Sequence, residues 1–208
     1  MKIRFRMYEK CERLLPLEDY PEGHGKTMKT RDFLKKHDAC TEGAKWALSI
    51  GGDMADVWDA MIKQDRHDWL IWTATRPGVF SDSTLRKLAC RFVRETSLAD
   101  GRKVWDLLTD ERSRRAVEVA ERYADGKATA QELAAADAAA YAVVCGGAAA
   151  YAATAARDAA YAAYAAVRDA AYAAARAAVR AADDDVAKAD QVQMIAELGN
   201  PFKEESDK

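Results

Sequence analysis

Tyrosine and arginine side chains recur at helical spacing in the last third of the chain, and they are the residues best suited to chemistry. Arg157 and Tyr161 stand four positions apart, as do Arg168 and Tyr172. On a helix this spacing lets each guanidinium lie against a tyrosine ring. Tyrosine and arginine are also enriched at the energetic centres of interfaces. The pattern therefore predicts binding rather than catalysis.

These pairs belong to an 11-residue repeat in an alanine-rich segment. Residues 157–163 (RDAAYAA) recur as residues 168–174, and eleven residues make about three helical turns. At about 100° per residue, the tyrosines, arginines and aspartates share one side, and an opposite arc of about 200° is almost wholly alanine. The predicted binding row comprises Tyr151, Arg157, Tyr161, Tyr164, Arg168, Tyr172 and Arg176.

Two orientations of this long helix are open at the level of sequence. In one, the tyrosine rings pack inward across the helical array, and the arginines and aspartates form a solvated rim. In the other, the row faces outward and binds a partner protein or an anionic ligand. The alanine face suits close approach to something flat, either a neighbouring helix or a second copy of the chain.

Tryptophans are concentrated just upstream of the middle of the chain. Of the five in the sequence, Trp69 and Trp72 stand three positions apart and share one face of a predicted helix. The simpler interpretation is that the indoles fill the core. The alternative is that Trp69 and Trp72 line a ligand cleft, where an indole can stack on a nucleotide base and arginines can hold its phosphates.

The cysteines, histidines and carboxylates do not form a pattern typical of a metal site or of covalent catalysis. The cysteines lack a CxxC pair, and neither they nor the histidines match a metal-ligand spacing, so we expect free thiols in a reducing compartment and no metal or cofactor. No nucleophile motif or spaced carboxylate pair is present, so we expect no enzyme. The residues in question are Cys11, Cys40, Cys90, Cys145, His24, His37 and His67.

Charge and hydropathy limit the partners and the compartment. The 208-residue chain has a net charge of -2, which gives no electrostatic case for nucleic acid or an anionic membrane. No apolar run approaches the roughly 18 charge-free residues of a membrane span. The first residues lack the apolar core of a signal peptide. We therefore expect a cytoplasmic protein, in a bacterial cell or a phage-infected host.

The elements that must position these residues are predicted to be almost all helical. The predicted fold class is all-α, a compact array of short helices packed with a long alanine-rich helix. Residues 1–28 form an arm or short strand (residues 2–8) and a loop, in which Gly25-Lys26-Thr27 is a polar turn because Tyr20 stands where a phosphate loop needs glycine. Residues 29–126 form a helical array with a tryptophan core, residues 127–199 the alanine-rich helices, and residues 200–208 a disordered tail.

Cap residues set the predicted helix boundaries within this plan. Polar side chains that can accept a hydrogen bond from free backbone amides precede several apolar runs, and Thr129 with Glu132 forms a capping box. The predicted helices are Thr41 to Leu48, Asp53 to Ile62, Asp65 to Thr75, Ser81 or Asp82 to Glu95, Thr109 to Gly126, 130–145, 148 to about 182, and a last one to Leu198.

An ordered set of segments resembles the immunity proteins of bacterial polymorphic toxin systems, whose relatives are also carried by phages. The resemblance covers residues 30–180 and has no catalytic motif. Its segments are Ala39–Trp46 (ACTEGAKW), Trp58, Asp68–Trp72 (DWLIW), Leu88–Arg94 (LACRFVR), Ala116–Glu121 (AVEVAE) and Gly126–Leu133 (GKATAQEL), followed by alanine, tyrosine and arginine repeats.

The resemblance implies an all-helical, non-enzymatic protein that binds and neutralises a protein toxin or, in phages, a host defence effector. Two alternatives from other classes stay open on the residues alone. The chain can be a sponge that sequesters a nucleotide immune signal, or a structural repeat protein that forms a homo-oligomer through its alanine face.

Replacing Arg157, Tyr161, Arg168 and Tyr172 together with alanine tests the outward orientation of the row. If the row is the contact face, the variant loses protection against the toxin or effector while its circular dichroism stays helical. Unchanged protection with an intact fold would remove the row from the binding surface.

Overall fold

The computed structural model describes residues 28–146, 177–180 and 185–203. These residues are mostly helical, and the extended pairings among them are isolated bridges rather than strands. The predicted all-α fold is therefore confirmed. The predicted strand at residues 2–8, the loop that follows it and most of the alanine-rich tract lie outside the described residues.

The helices are short and closely spaced along the chain. Residues 177–180 are also helical. The helices with defined bounds are α1 (Thr30–Lys36), α2 (Thr41–Ile50), α3 (Met54–Lys63), α4 (His67–Ala74), α5 (Asp82–Glu95), a single 3-10 turn η1 (Val104–Leu107), α6 (Glu111–Ala124), α7 (Ala130–Gly146) and α8 (Asp185–Ala196).

The described chain divides into two compact units, and the division falls within α4. The first unit holds residues 28–69 together with residues 200–203, and the second holds the described residues between 70 and 199. The boundary that the sequence predicted after residue 126 falls inside the second unit, since α6 and α7 pack against each other there.

Side-chain caps fix the starts of α2 and α3 in the first unit. Asp53 accepts hydrogen bonds from the amides of Ala55 and Asp56, and the Asp56 carboxylate accepts from the Asp53 amide, so α3 begins in a capping box, as predicted. The predicted cap of α2 was one residue off. Cys40 occupies the cap position and its Sγ accepts from the Gly43 amide at 3.4 Å, so Thr41 is instead the first helical residue.

The predicted start of α4 at Asp65 was also displaced. Asp65 has a φ of 51° and belongs to the turn after α3, so the helix begins two residues later, at His67. In the core of this unit, Phe33 on α1 and Met54, Trp58 and Met61 on α3 are at most 2% exposed.

The second unit confirms most of the predicted caps. Ser81 caps α5 by accepting from the Thr84 amide at 3.1 Å. Thr129 and Glu132 form the predicted capping box at the start of α7. The cap of α6 is Asp110 rather than the predicted Thr109.

Helix α8 packs on α5 through both apolar and polar contacts. Ile195 is fully buried. Gln191, also fully buried, donates to the Thr96 hydroxyl at 3.4 Å, and the Asp190 carboxylate accepts from the Ser97 amide at 2.8 Å. These contacts tie a helix late in the sequence to the end of α5.

Residues 200–203, which we define as the strap, belong to the segment predicted to be a disordered tail, and they are instead packed on the first unit. Asn200 donates to the Ala55 carbonyl at 2.9 Å and to Asp59 at 2.8 Å. The Phe202 ring meets Phe33 edge-on at 5.5 Å and Trp58 at 5.9 Å. An aromatic anchor and hydrogen bonds therefore hold the strap, and residues 204–208 lie outside the described residues.

The strap also carries an ion pair, in which Lys203 Nζ lies 2.7 Å from the Asp59 carboxylate. Burial raises the pKa of Asp59, but the hydrogen bonds from Lys203 and Asn200 outweigh it and hold that pKa below the ordinary 3.8. The stabilisation is therefore complete above the ordinary value and is lost as the pH falls through the lowered one.

Replacing Phe202 with alanine removes the apolar anchor of the strap. Because the ring is half-buried, we expect the free energy of unfolding to fall by about 1–2 kcal/mol, less than for a fully buried phenylalanine. Urea denaturation followed by circular dichroism measures the change. Lys203→Ala is the control, since an exposed ion pair contributes less than about 1 kcal/mol. An equal loss in both variants would show that the ring is not the anchor.

Candidate binding surface

The predicted tyrosine and arginine row lies outside the described residues. This applies to all seven of its members: Tyr151, Arg157, Tyr161, Tyr164, Arg168, Tyr172 and Arg176. Of the predicted binding residues, the structure describes Trp69 and Trp72. It also describes residues 177–180, a short helical stretch that follows the row.

Residues 177–180 continue the periodicity of the predicted row. By the same 100° rule, Ala177 and Ala178 fall on the alanine arc, and Arg180 falls at the edge of the arc that holds the row. Ala177 and Ala178 are fully buried, and Arg180 is exposed. In this stretch the alanine side therefore faces the protein interior.

Trp69 belongs to a cluster in the first unit that we call the indole platform, made of Trp46, Arg66 and Trp69. The two indole rings lie 5.1 Å apart between centroids and are tilted by 42°. The Arg66 guanidinium lies 5.5 Å from the Trp46 ring and 5.3 Å from the Trp69 ring. One cation thus covers both rings at distances that give cation–π attraction.

Two helices and one turn position the platform. Helix α2 carries Trp46 and α4 carries Trp69, and Arg66 precedes α4 by one residue. The Arg66 amide donates to the Met61 carbonyl at 2.8 Å, which closes the turn at the end of α3. The positive φ of Asp65 turns the chain at that point.

Gly43 lets the Trp69 ring approach α2. A Cβ at this position would lie 3.4 Å from Trp69 Nε1 and 3.3 Å from Cys40 Sγ, closer than most such contacts. The amide of Gly43 also donates to Cys40, the cap of α2. A side chain at residue 43 would therefore press on both the platform and the helix cap.

The platform leaves a positive charge exposed over apolar rings. Trp46 and Trp69 are half-buried and Arg66 is exposed. Within the described part of the chain, no carboxylate forms an ion pair with Arg66. A guanidinium stacked on a ring keeps its N–H donors at its edge, where they can reach a carboxylate or phosphate of a ligand.

Trp72 belongs to the second unit, where it contacts Arg76. Its ring lies under the Arg76 guanidinium at 4.8 Å, and Arg76 Nε donates to the Trp72 carbonyl at 2.9 Å. This contact is local to the end of α4. The prediction that Trp69 and Trp72 line one ligand cleft stays a prediction.

The remaining tryptophans have structural surroundings. Trp58 is fully buried. Trp105, which sequence reasoning left without a helix, lies on η1 under Arg94 at 4.0 Å and Arg114 at 5.6 Å. Bidentate hydrogen bonding to the Glu121 carboxylate raises the pKa of Arg94. The positive charge of Arg94 is therefore compensated inside the protein.

Searches of protein-family models, curated proteins and solved structures found no match to this chain. Among the residues that the structure describes, no helix is long and apolar enough to cross a membrane. The same residues contain no group of three or more histidine, cysteine or acidic side chains that could hold a metal ion.

Replacing Gly43 with leucine tests how the platform is built. The added side chain must displace Trp69, so we expect a change in near-ultraviolet circular dichroism and a loss of about 1–3 kcal/mol of stability. Lys45→Leu, at an exposed position of the same helix, is the control and should change stability by less than about 0.5 kcal/mol. A Gly43→Leu protein with the wild-type aromatic spectrum would contradict the assigned packing.

Proposed function

We propose that the protein is a non-enzymatic immunity or phage counter-defence protein that binds and neutralises a toxin or a host defence effector in the cytoplasm. The observation that carries the proposal is the indole platform, because it presents an exposed arginine, with no ion pair among the described residues, on two half-buried indoles. The class of function comes from the resemblance to toxin immunity proteins.

The platform has the composition and the rigidity of a protein-binding hot spot. Tryptophan and arginine dominate the residues whose truncation weakens interfaces most. Stacking on two rings restricts Arg66 before a partner arrives, so less side-chain entropy is lost on binding. The half-buried indoles add apolar area beside a directional hydrogen-bond donor, a combination that suits a protein surface.

The described end of the alanine-rich tract, residues 177–180, supports a second contact region. At residues 177–180 the alanine side is buried and Arg180 is exposed. An outward row of tyrosines and arginines would continue this arrangement toward the start of the tract. We include the row in the proposed binding surface on that ground.

Sequestration of a nucleotide is the alternative that the platform could also serve. Its indoles could stack a base, and Arg66 could contact a phosphate. The stacked guanidinium, however, already lies over both rings, and the described platform contains a single cation. A nucleotide with several phosphates would need more positive charge, so the protein partner is favoured.

Replacing Arg66 with alanine should weaken binding of the neutralised protein by about 30-fold, the size of a hot-spot loss of about 2 kcal/mol. Arg66→Lys should lose part of the affinity as well, because lysine keeps the charge but not the planar stacking. The partner is sought by co-expressing the chain with each product of its neighbouring genes and scoring growth. Calorimetry on the protective pair then gives the affinity.

Lys63→Ala is the matched control, since Lys63 is exposed in the last turn of α3 and lies outside the platform. Wild-type affinity in Arg66→Ala would remove the platform from the binding surface. The nucleotide alternative is tested separately, by denaturing purified protein and analysing the supernatant. A released nucleotide, or a thermal shift with a cyclic nucleotide that Arg66→Ala loses, would replace the proposal.

A further inference from the structure

The exposed face of α6 carries a line of alternating charges, which we call the α6 charge stripe. Its members, Glu111, Arg115, Glu118 and Arg122, are all exposed. Their spacing of four, three and four residues places them within about 60° of one another around the helix. The stripe borders an open cavity of about 850 Å³.

The packing of the second unit fixes the direction of the stripe. Ala116, Val117 and Ala120, on the opposite side of α6, are fully buried. Helix α6 packs against α5 and α7 within the second unit. The stripe is therefore held on the outside by the core beneath it.

The stripe is complementary to itself when two copies of α6 run antiparallel. Glu111 and Arg122 lie equally far from the point between Ala116 and Val117, and so do Arg115 and Glu118. A two-fold axis through that point places Glu111 opposite Arg122 of a second copy. It also places Arg115 opposite Glu118, so each pair forms twice and all the contacts are between opposite charges.

Among the described residues, one ion pair within 4 Å reaches the stripe. Arg122 lies 3.6 Å from Glu132, and both side chains are about half exposed (49% and 47%). Within the described residues, Glu111, Arg115 and Glu118 form no ion pair at 4 Å or less.

We propose that a second copy of this chain docks on the α6 charge stripe to form an antiparallel, two-fold dimer. A two-fold contact closes on itself, which stops the assembly at two copies. Because exposed ion pairs are individually weak and screened by salt, the dimer is weak and sensitive to ionic strength. This surface is made of other residues than the indole platform and the alanine face that the sequence suggested for oligomers.

Analytical ultracentrifugation of the full chain measures the dimer. We expect self-association at about 50 mM salt that is at least about tenfold weaker at about 500 mM salt. A chain that sediments as a monomer at about 1 mM protein in low salt overturns the proposal. Association that is unaffected by salt would also overturn it, since it would point to an apolar contact instead.

Charge-reversal variants test the pairing itself. Glu118→Arg places arginine opposite Arg115 of the second copy, and Arg115→Glu places glutamate opposite Glu118, so each variant alone should dimerise at least about tenfold more weakly. An equimolar mixture of the two should form a heterodimer. The double variant Arg115→Glu/Glu118→Arg should regain the homodimer, because its pairs are again opposite in charge.

Lys35→Glu is the control for Arg115→Glu, since it makes the same charge change at an exposed residue of α1. It should dimerise like the wild type. The double variant also controls for folding, because it contains both substitutions. Failure of both the mixture and the double variant to associate, with circular dichroism unchanged, would show that the antiparallel pairing is wrong.

Discussion

Short helices leave a large share of their backbone amides and carbonyls without partners, and this constraint governs the described part of the molecule. The α-helices there with defined bounds have between 7 and 17 residues, lengths at which an isolated helix is marginal in water. Such helices depend on a buried face and, in several cases, on side chains that satisfy their first amides. The caps at Cys40, Asp53, Ser81, Asp110 and Thr129 do this for five of them, and the caps at Cys40 and Asp53 start the helices that carry Trp46 and Trp58.

Arginine on tryptophan is the contact by which both units cover their half-buried indoles. The same contact has two different consequences. Arg94 lies over Trp105 but is neutralised by Glu121, so its charge holds α5, η1 and α6 together. Arg66 lies over two rings and forms no ion pair with the described residues, so its charge is directed to solvent. The difference between a structural arginine and a binding one thus depends on the nearby carboxylate, which ring stacking alone does not reveal.

Sequence patterns predicted the parts of the fold that depend on neighbours along the chain. Asp53 and Thr129 were identified as caps, and Ser81 as one of two candidates with Asp82, because each acts on amides within three residues. Cys40 was missed because thiols are not typical helix caps. The strap was missed because its polar, proline-containing sequence suggests disorder, and its order depends on the contacts of Phe202 with Phe33 and Trp58, which are distant in sequence. The platform illustrates the same limit. Trp69 was identified, but its partners Trp46 and Arg66 depend on how α2 and α4 pack, and the i, i+3 spacing pointed to Trp72 instead.

The orientation of the alanine-rich tract depends both on its own sequence and on what packs against it. Composition alone leaves both faces of such a helix open, since methyl groups bury little area each and tyrosines can pack either way. The burial of Ala177 and Ala178 beside exposed Arg180 shows that, at this end of the tract, close approach of a methyl face was preferred to burial of a larger side chain. Small side chains allow neighbouring backbones to approach closely, so dispersion contacts form along the whole helix rather than at a few large residues. An 11-residue repeat returns to nearly the same side of a helix after about three turns, so repeated residues share one face. If the alanine face is packed, the opposite face points toward solvent.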